Sequence, residues 1–280
     1  MDGLTELMGR MRPRLHRYCA RMVGSAFDGE DVVQDALARA AVAFGPEIQQ
    51  PERWLMRIAH NAALDALRRR KRQASRQLEI EMDQIADATS AADARVAAEA
   101  SLAAFLALPP VQRGAVILAD VLGHPLAETA EIFGVTEASA KAALHRGRAA
   151  LRQHGADARP PASFSATEKA RLRAYADRFN ARDFDALRTL LAEDVQLDLA
   201  NRARLTGREV AVYFTRYSEN PDYLSRLCLA EGRLALAVTD PQLAGDYVVL
   251  IEWRGGEIAV IRDYRHAPYV AEALKLEALD

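Results

Sequence analysis

The sequence predicts an all-α N-terminal half joined to an α+β C-terminal half, and three observations carry this. Up to about residue 155, alanine is abundant, β-branched runs are scarce and apolar residues recur at spacings of three and four. Arg159-Pro160-Pro161-Ala162-Ser163 then breaks the pattern, close after Gly155. Beyond the break, a long helical pattern gives way to strand-like stretches. With 280 residues, half of them hydrophobic, the chain has material for more than one core.

Within the first half, Asp28 to Arg39 reads as a two-faced helix. Val32, Val33, Ala36, Leu37 and Ala40 take one side, and Asp31, Gln34, Asp35 and Arg39 the other. The polar side fits either a solvated face with an i,i+4 Asp35–Arg39 pair or a docking surface for a partner. A second helix is expected from Glu52 to about Arg72, with Pro51 just before it. Leu55, Ile58, Ala59, Ala62 and Ala66 form its apolar face, and Trp54, Arg57, Asn61, Asp65 and Arg68 an adjacent stripe. An aromatic ring, guanidiniums and a carboxamide in line suit stacking on, and reading of, single-stranded bases. The helix ends in Arg68-Arg69-Arg70-Lys71-Arg72, which suits phosphates; alone, such a run is as readily a solvated, dipole-complementing helix end.

From Leu108 to Leu151 the punctuation is that of a helix-turn-helix. Pro109-Pro110 opens a helix that Gly123 stops, Leu126 to Phe133 forms a second, Gly134 makes the turn and Thr136 caps the third. The third helix carries Glu137 and Ser139 at its start, then Lys141, His145, Arg146, Arg148 and Arg152. Such a helix fits the major groove, with cations on phosphates. A plain three-helix bundle with a basic surface is the alternative.

In the second half a helix is expected over Thr167 to Leu191 and a short one over Gly207 to Tyr217. Strands are expected over Val195 to Leu199, Leu224 to Val238, Tyr247 to Trp253 and Ile258 to Tyr264, with Gly255-Gly256 as a hairpin turn.

Charge is near balance overall, at −2, which excludes binding of polyanions by bulk charge. Its distribution is uneven: Arg53 to Arg76 holds eight basic residues and one acid, whereas Gln77 to Glu99 holds six acids and one arginine. From Thr167 onward there are sixteen basic and nineteen acidic residues, a poor balance for gripping DNA. Cys19 and Cys228 are far apart in apolar contexts and offer no disulfide framework, zinc knuckle or CxxC motif. There is no apolar h-region at the start and no run long enough to span a bilayer. The expectation is a soluble, cytoplasmic protein without membrane contact, metal or cofactor.

Taken together, Asp28-Gly29-Glu30-Asp31-Val32-Val33-Gln34-Asp35, Trp54-Leu55-Met56-Arg57-Ile58-Ala59-His60-Asn61-Ala62-Ala63-Leu64-Asp65, Leu108-Pro109-Pro110-Val111-Gln112-Arg113 and Ala127-Glu128-Thr129-Ala130-Glu131-Ile132-Phe133-Gly134-Val135 resemble a bacterial extracytoplasmic-function (ECF) sigma factor, over about Leu4 to His154. The resemblance implies region 2 over 1–76, an acidic linker over 77–100 in place of region 3, and a region 4 helix-turn-helix over 101–155. It implies core RNA polymerase as partner, with Asp31, Gln34, Asp35 and Arg39 on the β′ clamp helices and further contact to the β subunit. Promoter DNA is the second partner. Phe44 to Trp54 match the segment that captures a flipped −10 base. Trp54, Arg57, Asn61, Asp65, Arg68, Arg69, Arg70 and Lys71 match the −10 contacts, and Thr136, Glu137, Ser139, Lys141, His145, Arg146 and Arg148 the −35 contacts. Thr129 and Ala140 stand where the family usually has larger aliphatics, and the small Ala138, Ser139 and Ala142 leave few side chains to read bases.

After a Pro-containing linker over 156–164, residues 165–280 resemble a SnoaL-like cone, carried by Ala181-Arg182-Asp183-Phe184-Asp185-Ala186-Leu187, Leu191-Ala192-Glu193-Asp194-Val195, Leu205-Thr206-Gly207-Arg208-Glu209 and Ile261-Arg262-Asp263-Tyr264. Such a cone implies a regulatory role and a pocket for a small-molecule ligand, with Asp198, Asp263, Tyr264 and His266 as candidate lining. No nucleophile–base pair is discernible, so a non-enzymatic protein is expected. Two other readings stay open: a stand-alone helix-turn-helix regulator, which leaves the Asp31 face and the Trp54 stripe unexplained, and a small-molecule isomerase or cyclase fused to a DNA-binding module.

Overall fold

A computed structural model describes residues 2–74, 97, 100–153, 164–219, 222–243 and 245–279. The chain divides at the expected break into two units, Met1–Arg159 and Pro160–Asp280. Most of the two expected linkers, 77–100 and 156–164, lies outside the described residues.

The first unit is helical throughout. Helices α1 (Asp2–Val23), α2 (Ala26–Ala43) and α3 (Pro51–Ala74) pack together through Leu15, Tyr18, Met22, Val33, Ala36, Leu55, Met56 and Ala59, all fully buried. Ser25 caps α2 by accepting from the Asp28 amide, and Pro51 occupies the first turn of α3 rather than preceding it. Gly29 lets α2 approach closely, because a Cβ there would lie 2.6 Å from the Ala20 backbone. One buried ion pair, Arg12–Glu30 at 2.5 Å, joins α1 to α2.

A 3-10 turn (Ala104–Ala107) leads into α4 (Pro110–Val116), which runs on as a π-helical turn (Ile117–Val121); then come α5 (Leu126–Phe133) and α6 (Glu137–Gln153). Gly134 ends α5 in the left-handed conformation, φ 69°, as the helix-turn-helix turn requires. Thr136 caps α6 through the Ser139 amide at 3.2 Å. Buried Arg113 of α4 donates to the carbonyls of Met22, Leu106 and Leu108, so it satisfies the last turn of α1 from across the unit. Burial lowers its pKa to about 10, and it stays charged at neutral pH. Thr129 and Ala140 are fully buried, and the Thr129 hydroxyl donates back to the Pro125 carbonyl. Val111 on α4 is half exposed.

The second unit is α+β, the architecture expected. A seven-stranded mixed sheet runs in the order β2-β1-β6-β5-β4-β3-β7, with β1–β6 parallel and every other pair antiparallel. Its strands are β1 (Leu191–Leu199), β2 (Ala203–Thr206), β3 (Leu224–Ala230), β4 (Arg233–Thr239), β5 (Tyr247–Arg254), β6 (Glu257–Asp263) and β7 (Leu276–Ala278). Helix α7 (Ala166–Asn180) lies against β3 and β4, and α8 (Phe184–Arg188), a 3-10 turn (Gly207–Val212), α9 (Tyr213–Ser218) and α10 (Pro268–Glu272) complete the unit. The core gathers Leu172, Phe179, Phe184, Phe214, Val195, Leu236, Val249 and Ile261.

Two expected elements divide. The helix drawn from Thr167 to Leu191 breaks at Arg182, which adopts φ 63°, after which Asp183 caps α8 through the Ala186 amide; Leu191 already belongs to β1. The run Leu224 to Val238 is a hairpin, because Glu231 and Gly232 take φ 53° and 70°, the left-handed pair a two-residue turn needs. Strands β2 and β7 and helix α10 were not expected; they are too short to show a period.

Candidate polymerase and nucleic-acid interfaces

Burial decides the two faces of α2. Val32, Val33, Ala36, Leu37 and Ala40 face the core, while Asp31 and Arg39 are exposed and Gln34 and Asp35 half-buried at the surface. The Asp35–Arg39 pair forms at 2.7 Å. Arg39 also reaches Asp65 of α3 at 3.0 Å, Asp65 accepts from Arg68 at 3.2 Å, and Arg69 lies 3.7 Å from Asp35. Hydrogen bonding to Arg39 pulls the Asp65 pKa down and that of Arg39 up.

In this network the Asp65 carboxylate holds two guanidiniums and joins α3 to α2. Arg70 is similarly engaged: it donates to the Val23 carbonyl at 2.8 Å and pairs with Asp28, closing the end of α1. Lys71 and Arg72 at the end of α3 are exposed.

Along α3, Trp54 is half-buried and Asn61 exposed, and the Trp54 ring lies 5.8 Å from that of Phe44, itself 41% exposed. Two aromatic rings at the mouth of the 44–54 segment make a platform on which an unstacked base can sit. Arg57 is exposed, and its guanidinium donates to the Glu131 carbonyl of α5.

On α6, Thr136, Glu137, Ser139, Lys141 and Arg146 are exposed and His145 is half-buried. Gly147 lets α6 seat against α4, since a Cβ there would come within 2.7 Å of Val116 and the Gln112 carbonyl. Arg148 is engaged within the fold. Its guanidinium makes two bonds, 2.9 and 2.6 Å, to the carboxylate of Asp120, whose side chain is almost fully buried. It therefore fixes the helix to its support, while Lys141, Arg146 and Arg152 are exposed.

In the second unit, Asp263 at the end of β6 is buried beneath a group of tyrosines. One carboxylate oxygen accepts from Tyr213 at 2.7 Å and Tyr217 at 2.8 Å, and the other from the Arg265 amide at 2.7 Å; Tyr217 and Tyr247 hydroxyls lie 2.7 Å apart. Burial raises the Asp263 pKa against the pull of these donors. Beside it, Arg265 holds buried Asp240 at 2.8 Å. Of the other residues expected there, Tyr264 is buried and His266 half-buried. Asp198 is not part of the group. In the β1–β6 register Asp263 pairs with Leu199, so Asp198 points to the opposite face, where it meets Arg204 at 3.1 Å. The sequence reading missed the tyrosines because each is unremarkable in its own segment and they meet only through sheet register and α9.

Two helical modules, one with an aromatic-basic stripe and one with a helix-turn-helix, define a helical DNA-binding protein carrying an α+β appendage. The Sigma-70 region 2 family matches residues 7–73 and the Sigma-70, region 4 family residues 99–151. The ECF RNA polymerase sigma factor SigM of Mycobacterium tuberculosis is 34% identical over 149 residues, covering 52% of this chain and 74% of SigM. The chain belongs to the ECF RNA polymerase sigma factors. The crystal structure of the Mycobacterium tuberculosis ECF sigma factor SigJ aligns over 91% of this chain and 94% of its own, with TM-score 0.38 and 23% identity. An NTF2-like protein from Cytophaga hutchinsonii aligns over 36% of this chain and 92% of its own, with TM-score 0.29 and 16% identity. No helix among the described residues is long and apolar enough to cross a membrane.

Proposed function

We propose that this chain binds core RNA polymerase, recognises the −35 and −10 promoter elements and nucleates strand opening, working as a cytoplasmic initiation factor rather than an enzyme. The observation that carries the reading is the Phe44–Trp54 pair and exposed Asn61 on α3, in the same unit as a helix-turn-helix whose α6 presents Lys141 and Arg146. Stacking of unpaired bases on aromatic rings favours the opened strand over the duplex, which is what initiation requires. In this reading Asp31, Gln34, Asp35 and Arg39 dock on the β′ clamp helices, with the β subunit as a further contact. Region 2 extends over 1–76, region 4 over 101–155 and the SnoaL-like domain over 165–280. The last domain, net negative and tethered by a short Pro-containing linker, modulates the helical modules from within the chain at high effective concentration. A small-molecule ligand near Asp263 would shift that balance only by binding docked and released forms unequally.

The test is Asp31→Arg with Asp35→Arg, which turns attraction at the polar face of α2 into repulsion. Co-purification with core polymerase should fall by at least tenfold while the thermal melt of the double variant keeps its shape. Undiminished co-purification would reject the docking assignment.

A further inference from the structure

Helix α5 of the helix-turn-helix lies directly on the basic stripe of α3. The Arg53 guanidinium pairs with Glu128 at 3.3 Å and with Glu131, and Arg57 donates to the Glu131 carbonyl. Beneath these contacts His60 of α3 stacks on Phe133 of α5 with ring centres 4.5 Å apart and holds the Tyr18 hydroxyl at 2.6 Å. Glu128 is itself anchored by His124 at 2.9 Å. The carboxylates thus sit on a guanidinium where phosphates of a single strand following Trp54 and Asn61 would otherwise lie.

We propose that Glu128 and Glu131 form an intramolecular nucleic-acid mimic: an acidic latch on α5 that occupies the Arg53–Arg57 end of the single-strand face and must be displaced before a melted strand can bind. The proposal rests on the reading of α3 as that face and adds its regulation. The latch is half-exposed, so it competes with phosphates on like terms: both are anion–guanidinium contacts at the surface, and a strand offers several in a row. The stacked His60–Phe133 pair gives the closed form its geometry, while the ion pairs set how readily it opens. Apparent affinity for a single strand is reduced by the fraction of molecules held closed.

The experiment uses the full chain and a fluorescein-labelled single-stranded oligonucleotide, titrated by anisotropy at low salt. Glu128→Gln with Glu131→Gln keeps side-chain size and should tighten binding about five- to twentyfold. Glu6→Gln, a charge removal at an exposed position of α1 outside these ion pairs, should tighten it less than twofold. Adding Trp54→Ala to the latch variant should abolish the gain. Equal affinity of the latch variant and the parent, where Trp54→Ala weakens the parent, overturns the latch and leaves the α3 reading standing. A gain that survives Trp54→Ala places the strand elsewhere and overturns both.

Discussion

The α2–α3 face of the helical unit and the tyrosine cluster of the α+β unit handle charge in opposite ways. At the candidate interface of the helical unit the arginines of α2 and α3 sit in exposed pairs, such as Arg39–Asp65, Arg68–Asp65 and Arg53–Glu131, with both partners a quarter to two-thirds exposed. Such pairs contribute roughly 0–1 kcal/mol each and exchange readily for phosphates or for carboxylates on another protein. In the α+β unit the charge that matters is sealed: Asp263 lies under three tyrosine hydroxyls and Asp240 under Arg265. Exchangeable surface pairs suit binding of a long polyanion; a satisfied buried carboxylate suits holding one geometry. The sequence-wide net charge of −2 conceals this division.

The largest expected effect tests which cations of α6 are surface ones. Arg148→Ala leaves the Asp120 carboxylate buried without its two bonds, and breaking such a pair costs about 3 kcal/mol. Arg146→Ala, two residues away and exposed, should change stability by less than about 0.5 kcal/mol while weakening duplex promoter binding and lowering the salt slope by roughly 0.9. Urea denaturation beside anisotropy at several salt concentrations separates the pair. Equal stability losses would return Arg148 to the DNA-facing set.

Acid should drive the units apart. Burial lowers the pKa of His16 and His60 from 6.5 to about 4, so in the fold both are neutral. Their contribution is fully present above pH 6.5 and lost as pH falls toward 4, because the unfolded chain takes up the protons first; it amounts to at most about 3 kcal/mol per histidine. Asp263 has the opposite sign: its raised folded-state pKa favours the folded form as pH falls. Denaturant midpoints followed separately for residues 1–159 and 160–280 by hydrogen exchange, at pH 7 and 4.5, should fall more for the helical unit. A larger fall in the α+β unit would contradict the assignment of these groups.

A smaller effect probes the tyrosine cluster. Tyr217→Phe removes one donor to Asp263 and the link to Tyr247 and should destabilise the α+β unit by about 1–2 kcal/mol. Run-off activity measured at 25 °C should hold near the parent level. Unchanged stability would mean that the carboxylate does not depend on its donors.

What the sequence could reveal follows the same division. The surface faces were legible because helical period sorts Val32, Val33 and Ala36 from Asp31 and Asp35 without knowledge of any partner, and because Gly134 and Thr136 mark a turn and a cap locally. Roles created by distant packing were not. Arg70 and Arg148 read as a basic surface, yet each is held by a carbonyl or carboxylate 28 or more residues away. Asp263 is a candidate from the sequence, but Tyr213 and Tyr217 reach it from α9 and Tyr247 from β5, which no local pattern reveals. Asp198 was placed with Asp263 by proximity to strand ends, and a one-residue difference in register puts it on the other face. The Glu231-Gly232 turn escaped notice because glutamate rarely adopts the left-handed conformation it takes there.

The central claim, that this chain directs core polymerase to open promoters through α3, is tested most directly by run-off transcription with purified core polymerase on a promoter selected with the protein. The parent should give a discrete transcript that core alone does not. Asn61→Ala should reduce that transcript about tenfold, and permanganate footprinting should show the −10 thymines closed while duplex binding persists. A parent that adds no transcript, or an Asn61→Ala variant that opens the −10 element as the parent does, would contradict the account.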